Sequence, residues 1–369
     1  QGRLETQLKR SVVERCIYGV DINPLAVELG KLSLWIETLD SKLPFTFLDH
    51  KIRIGNSLIG AWLDSFNQYP VAAWNREGGN EDWTARIEEF RSNSLKDQME
   101  KQINKSQNQT HWFGEEDSEV DNLVNTASQI FEGLHDSVSE DERERLFREE
   151  FQNHDGIQEL RQEMDQWCSI WFWPMKSDSN NILDPDTFYG YESKEEIDNV
   201  VRELSNRRRL RFFHWELEFP DVFAQDNPGF DAILGNPPWD AVKPDKVRFF
   251  TRYIPGYRAF GPKEKERTEA RLLEEQPKIR ETHDEYIDFF EGMKNFMDYS
   301  ATPWKLAHGR GKKKFNEKYQ SFLNSNLSEG FSSNHPYQLQ VSNRNYYKLF
   351  AEQFLNLTSR TGRLGIITP

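Results

Sequence analysis

Two adjacent prolines at the end of an apolar run constrain this 369-residue chain more than any other feature. Phe230-Asp231-Ala232-Ile233-Leu234-Gly235 has the length and composition of a core strand, and Asn236-Pro237-Pro238-Trp239 follows it directly. Proline donates no backbone hydrogen bond and fixes its own φ, so the strand must stop at Gly235 and the chain beyond it is rigid. Such a loop offers acceptors. The side-chain oxygen of Asn236 and the carbonyl of Pro237 can bind both hydrogens of one planar amino group, and Trp239 supplies a flat face for a ring. Two acceptors that favour a tetrahedral nitrogen return its lone pair for attack on an electrophile. Taken alone, the tetrapeptide reads equally well as a proline-rich turn.

The N-terminal region reads as a parallel unit. Cys16 to Asp21 is a short apolar run ending on an acid, followed by Asn23 as N-cap and Pro24 as the first helical residue. Leu25, Leu29, Leu32, Ile36 and Leu39 recur in steps of three and four, a stripe expected to lie against a sheet. A second strand at Ile52-Arg53-Ile54 ends in the turn Gly55-Asn56-Ser57. Strand, helix, strand predicts a right-handed βαβ crossover, hence an α/β fold.

Residues 62–211 are rich in Glu, Asp, Gln, Asn and Arg, with widely spaced apolar positions, and read as a mostly helical insertion. Within it, the acidic stretch 115–165 is expected to be a solvated helical face or a mobile arm, and Trp167 to Pro174 an aromatic cluster in the core. The sheet is expected to resume at Phe212-Phe213-His214-Trp215, with a polar insertion around 245–339. A helix with Tyr347, Phe350, Ala351, Phe354 and Leu357 on one face is expected to end at Thr361-Gly362, before a strand at Leu364 to Ile367. The expected division is 1–61, 62–211 and 212–369.

A net charge of -14 argues against a simple nucleic-acid binder. The basic runs Arg207-Arg208-Arg209 with Arg211, and Lys312-Lys313-Lys314, read as solvated surface before they read as a path for a phosphate backbone. Cys16 and Cys168 are too few for a disulfide framework or a zinc site, so no metal is expected and both thiols are read as core. No run approaches the length of a membrane span, and Gln1 to Arg10 lack the apolar region of a secretory signal, so a cytoplasmic protein is expected. Both ends cut into predicted elements, and the chain is expected to be a piece of a longer protein.

Four separated segments carry a family resemblance: Tyr18-Gly19-Val20-Asp21-Ile22-Asn23-Pro24, Arg53-Ile54-Gly55-Asn56-Ser57-Leu58, Phe230 to Trp239, and Gly362 to Pro369. With Phe213 to Pro220 ahead of the third, they resemble, in order, the gamma-like amino-group DNA methyltransferases. The closest likeness is to the large, type IIG-like adenine-N6 methylases of restriction-modification systems, whose catalytic motif is Asn-Pro-Pro-aromatic. The resemblance implies a Rossmann-like, S-adenosylmethionine-dependent methyltransferase sheet with Asn236, Pro237, Pro238 and Trp239 as its catalytic loop. It places Asp21, Ile22, Asn56 and Gly235 on the cofactor side, Asp21 accepting from the ribose hydroxyls and Ile22 packing on the cofactor adenine.

Asp21 also suits an Asx-type turn or the start of a helix. The family usually has Asp where this chain has Asn56, which is equally readable as a turn residue. No glycine loop of the form Phe-x-Gly-x-Gly precedes Tyr18, so the domain is expected to be N-terminally incomplete, a weak cofactor binder and inactive in isolation. The implied partner is duplex DNA with a flipped adenine, served by a specificity region and a nuclease, fused or separate, in phage defence.

Other functions share parts of the pattern. An RNA or protein-glutamine N-methyltransferase would use the same two acceptors, and a non-catalytic DNA-binding scaffold would keep the fold without turnover. A dinucleotide dehydrogenase accounts for Asp21 and leaves the Asn-Pro-Pro-Trp loop unexplained.

Overall fold

A computed structural model describes residues 2–38, 48–66, 69–74, 116–137, 139–174, 183, 187–188, 195–301, 313–314, 317 and 344–368. Leu39, Lys312 and Pro369, together with long parts of the two expected insertions, lie outside the described residues.

Helix α1 (Gly2–Cys16) leads into β1 (Gly19–Asp21) and α2 (Pro24–Glu37), and β2 (Ile52–Ile54) pairs parallel with β1, Gly19 opposite Ile52 and Asp21 opposite Ile54. The start of α2 is as read: the Asn23 side chain accepts from the amide of Leu25 at 3.1 Å, and Pro24 opens the first turn. The expected facing of α2 is not. Leu25, Leu29, Leu32 and Ile36 are 64%, 54%, 42% and 53% exposed, while Val27 and Leu34 pack with Val13, Leu48 and Ile52. Strands of only three residues are covered by that second, narrower face.

Beyond residue 115, the described part of 62–211 is mostly helical. It contains α3 (Glu116–Asp136), α4 (Glu140–Arg145) continuing through a π-helical turn at Leu146–Gln152, α5 (Asp155–Trp171) and α6 (Glu195–Asn206). Its acidic helices are solvated on one side only. Phe131 of α3 packs on Phe147 and Phe151, and Met164, Trp167 and Trp171 of α5 are fully buried. Trp167, Trp171 and Trp173 are at most 1% exposed, so the aromatic cluster is core, as read. Cys168 is buried there, whereas Cys16, the last residue of α1, is exposed and corrects the core reading of that thiol.

Phe212 to Trp215 is not a strand. Phe213 donates its amide to the carbonyl of Ile59 at 2.8 Å, and Trp215 begins the short helix α7 (Trp215–Glu218), followed by α8 (Pro220–Phe223). Phe213 and Trp215 turn into a cluster with Tyr18 and Phe230, while Phe212 packs against Phe172 of the main core.

Strand β3 (Phe230–Gly235) comes next, then α9 (Lys246–Phe250), α10 (Pro262–Glu275), α11 (Pro277–Tyr299), α12 (Tyr346–Leu357) and β4 (Thr358–Ile366). Strands β3 and β4 pair in parallel, Leu234 opposite Gly365 and Gly235 opposite Ile366, with a register slip after Phe230. Helix α12 stops at Leu357, so Thr361 and Gly362 lie within β4 and do not cap the helix. Gly362 serves a close crossing: a Cβ there would sit 2.7 Å from the Phe230 carbonyl oxygen. Among the described residues, no helix is long and apolar enough to cross a membrane, and no three His, Cys, Asp or Glu groups gather as a metal site.

Candidate active site

The residues singled out in the sequence lie at the carboxyl ends of β1, β2 and β3. Asp21 is exposed; its Oδ1 accepts from the amide of Asn23 at 2.7 Å, and its carbonyl accepts from Gly55 at 3.0 Å. The first bond is the Asx-type turn. The second ties the end of β1 to the turn after β2. Ile22 is 37% exposed, and its carbonyl accepts from Arg211 Nη1 at 3.1 Å.

Asn56 is heavily engaged. Its Nδ2 donates to the carbonyl of Arg209 at 2.8 Å, its Oδ1 accepts from Leu58 at 3.1 Å, and its amide donates to the carbonyl of Arg211 at 2.8 Å. Asp21, Ile22 and Asn56 therefore converge on the segment Arg209–Arg211. One hydrogen on Nδ2 and one lone pair on Oδ1 of Asn56 remain for a ligand.

At the end of β3, Gly235 is required by packing: a Cβ would meet Phe354 of α12 at 2.2 Å. Beyond it Asn236, Pro238 and Trp239 are exposed, Trp239 by 53%, and Pro237 is buried. No side-chain hydrogen bond engages the Asn236 amide or the Trp239 indole among the described residues. The backbone around them is clamped. Ile367 donates to the carbonyl of Gly235 at 3.0 Å, Tyr346 to that of Asp240 at 3.0 Å, and Val242 to that of Arg344 at 2.8 Å. Arg344 is itself held by Asp298 of α11 at 2.9 Å.

A polar belt that the sequence reading did not identify joins these parts. The ring of Tyr18 lies 5.4 Å from Phe230 and 5.1 Å from Phe219, and its hydroxyl donates to Asp221. Burial and Asp221 both hold that phenol well above its ordinary range. Lys51 Nζ sits 3.8 Å over the same ring and donates to the carbonyl of Arg15, and burial pushes its pKa down to about 8.

On α7, the buried Glu218 is ion-paired with Arg53 at 2.5 Å and with Arg161, both of which burial lowers to about 10, still charged. His214 Nδ1 accepts from Ala61 at 3.0 Å, which leaves Nε2 to carry the proton toward Asp165 at 3.0 Å. Glu216 Oε2 accepts from Leu63 at 2.7 Å, and desolvation raises its carboxyl to about 7. The signal available in the sequence was a set of charges and a histidine embedded among the aromatics of Phe213 to Phe219.

Comparisons with known proteins identify the family. The profile of the Eco57I restriction-modification methylase family matches residues 15–291, a span that contains both strand ends and the polar belt. A Methanocaldococcus jannaschii protein, provisionally named as the type II restriction enzyme and methyltransferase RM.MjaORFECS2P, is 25% identical over 242 residues. That alignment covers 63% of this chain and 18% of the relative, so the chain spans well under two thirds of the relative's length. No solved structure matches. With the family profile matched across well over half of its length, the chain belongs to the Eco57I restriction-modification methylases.

Proposed function

We propose that this chain is part of a site-specific DNA methyltransferase that moves a methyl group from S-adenosylmethionine to the exocyclic amine of a flipped adenine in duplex DNA. One observation carries the reading. Asn236 and Trp239 are exposed, and among the described residues their side chains make no hydrogen bond, on a loop whose backbone is clamped on both sides. A preorganised acceptor pair loses little on meeting its ligand, so its interaction energy is available to the transition state.

The residues beside Ile22 fit the cofactor. Asp21 Oδ2 makes no hydrogen bond among the described residues, and Ile22 offers exposed apolar surface next to it, which suits a ribose diol and a purine. Asn56 contributes at most one Nδ2 hydrogen and one Oδ1 lone pair. Both two-stranded pairs are read as portions of one Rossmann-like sheet, with Asp21 and Asn236 at strand carboxyl ends, where α/β folds take their ligands.

S-adenosylmethionine supplies a methyl group on a sulfonium. Asn236 Oδ1 and the Pro237 carbonyl hold the two hydrogens of the target amine and draw its nitrogen toward a tetrahedral form, turning the lone pair outward. Trp239 stacks on the extruded purine and replaces the neighbours it left in the duplex. A nuclease belongs elsewhere on the same polypeptide or on a partner chain, in line with the archaeal relative's name as a type II restriction enzyme and methyltransferase; a specificity region completes such a system, which acts on DNA in the cytoplasm.

Transfer of a labelled methyl group by the full gene product to duplex DNA, RNA and protein tests the proposal. The expected product after nucleoside digestion is N6-methyladenine; label confined to RNA, protein or cytosine overturns it.

A further inference from the structure

The segment directly after the candidate catalytic loop departs from the charge pattern of the rest of the chain. Residues 243–263 contain Lys243, Lys246, Arg248, Arg252, Arg258 and Lys263 against one acid, Asp245, in a chain of net charge -14. All six cations are exposed, and none makes an ion pair among the described residues. In the basic runs that stand out more in the sequence, four of the cations are engaged, Arg208 and Lys314 being exposed. Arg207 pairs with Glu203 at 2.6 Å, the Arg209 guanidinium lies 4.5 Å from the centre of the Tyr286 ring, Arg211 is bonded to Ile22, and Lys313 pairs with Glu317 at 3.9 Å.

The segment is also firmly mounted. Phe249, Phe250, Ile254 and Tyr257 are buried in a cluster of their own, with Phe249 stacked 5.3 Å from Tyr286 of α11. Asp245 Oδ1 accepts from Arg248 at the start of α9, and the Asp245 amide donates to the Tyr286 hydroxyl at 2.9 Å. Asp245 is thus committed to its own backbone turn. Six mutually repelling cations on a fixed frame are unfavourable alone and favourable beside a polyanion. Lys243 lies four residues beyond Trp239, at most about 14 Å of extended chain.

We infer that residues 243–263 form a contact surface for the phosphate backbone of duplex DNA next to the nucleotide presented to the 236–239 loop. The inference rests on the DNA-methyltransferase reading above. Backbone contacts of this kind position the duplex and carry no sequence information, so they raise affinity for cognate and non-cognate DNA alike.

The test is the salt dependence of binding by the full gene product, measured by fluorescence anisotropy with a labelled duplex from low to moderate NaCl. Replacing Arg248, Arg252, Arg258 and Lys263 together by Gln should lower the slope of log K against log salt by about 3 to 4 in magnitude, each single change by about 0.9. Affinity at low salt should fall more than tenfold, equally for cognate and scrambled duplexes. Arg145→Gln, an exposed cation on α4 paired with Glu150, should leave the slope unchanged.

An unchanged slope in the fourfold variant, with circular dichroism matching the parent, overturns the inference. A change seen on heparin or RNA and absent on duplex DNA overturns it as well. If the parent methylates duplex DNA while the variant binds as the parent does, only this surface assignment fails. If the parent neither binds nor methylates DNA, the functional reading fails with it.

Discussion

Arg211 reaches across 189 positions of sequence to donate from Nη1 to the carbonyl of Ile22 at 3.1 Å, while its own backbone sits at φ 35°. A non-glycine residue in the left-handed region costs on the order of 1 kcal/mol. Here that conformation sets the carbonyls of Arg209 and Arg211 against Asn56 and sends the guanidinium to the turn after β1. Arg211→Ala and Arg211→Gly both remove the bond to Ile22, and both should raise the dissociation constant for S-adenosylmethionine several-fold by calorimetry. Their stabilities should differ. The glycine variant relieves the backbone and should be about 1 kcal/mol more stable than the alanine variant in urea unfolding. Equal stabilities would show that the φ angle stores no strain.

Asp21 separates local structure from ligand binding. One carboxylate oxygen holds the amide of Asn23, and the other is the one proposed to take the cofactor ribose. Asp21→Asn keeps an acceptor for the turn and loses the charge, so it should stay within about 1 kcal/mol of the parent in stability. Its affinity for the cofactor should fall roughly tenfold or more, the scale of a hydrogen bond to a charged group. Undiminished affinity in a calorimetric titration removes Asp21 from the cofactor site.

Local rules predicted the parts of the structure that depend on neighbouring residues, and failed where a distant partner decided. Asn23 and Pro24 start a helix because capping and proline geometry act within three residues, and β3 stops before Pro237 because proline has no amide to donate. The stripe Leu25, Leu29, Leu32, Ile36 was legible as a stripe, but which face of α2 is buried was set by Val13 and Leu48. Phe212 to Trp215 has strand-like composition, yet Gly55 and Gly60 draw Phe213 inward, and a Cβ at Gly60 would lie 2.0 Å from its carbonyl oxygen. The belt of Glu216, Glu218 and His214 was illegible because each partner lies about 50 to 160 residues away. At the candidate site, residue types were legible from the tetrapeptide. The clamp at Arg344 to Tyr346 and the unpaired cations beyond it required the fold.

Glu216 should make stability depend on pH. Its folded carboxyl titrates near 7, above an ordinary value of 4.5, mainly through desolvation that the bond from Leu63 only partly offsets. The folded state therefore holds a proton that the unfolded state releases between about pH 4.5 and 7. Over that window the contribution of Glu216 to stability falls as pH rises, and the cost is complete above the folded value. Glu216→Gln keeps an acceptor for Leu63 and removes the titration. The variant should match the parent near pH 4.5 and exceed it by roughly 1 to 3 kcal/mol at pH 8, measured by urea unfolding. A difference that does not change with pH contradicts the raised carboxyl.

Asn236 gives the sharpest separation between binding and chemistry. Asn236 is exposed and its side chain makes no hydrogen bond among the described residues, and the loop is held by backbone bonds on both sides, so Asn236→Ala should fold with the stability of the parent. It should also bind S-adenosylmethionine as the parent does, because the residues proposed to hold the cofactor ribose and adenine, Asp21 and Ile22, lie at the end of β1. What it loses is an acceptor that gains strength as the target nitrogen becomes tetrahedral. Loss of one such contact costs on the order of 100- to 1000-fold in turnover. Single-turnover transfer of labelled methyl to duplex DNA, with cofactor saturating, should show that fall with KM for DNA little changed. Asn236→Asp tests the same point by charge. It retains oxygen acceptors and gives up only the amide donor, so it should keep more activity than the alanine variant. Asp falling below Ala would mean that the amide hydrogens of Asn236, and not its oxygen, face the reacting amine.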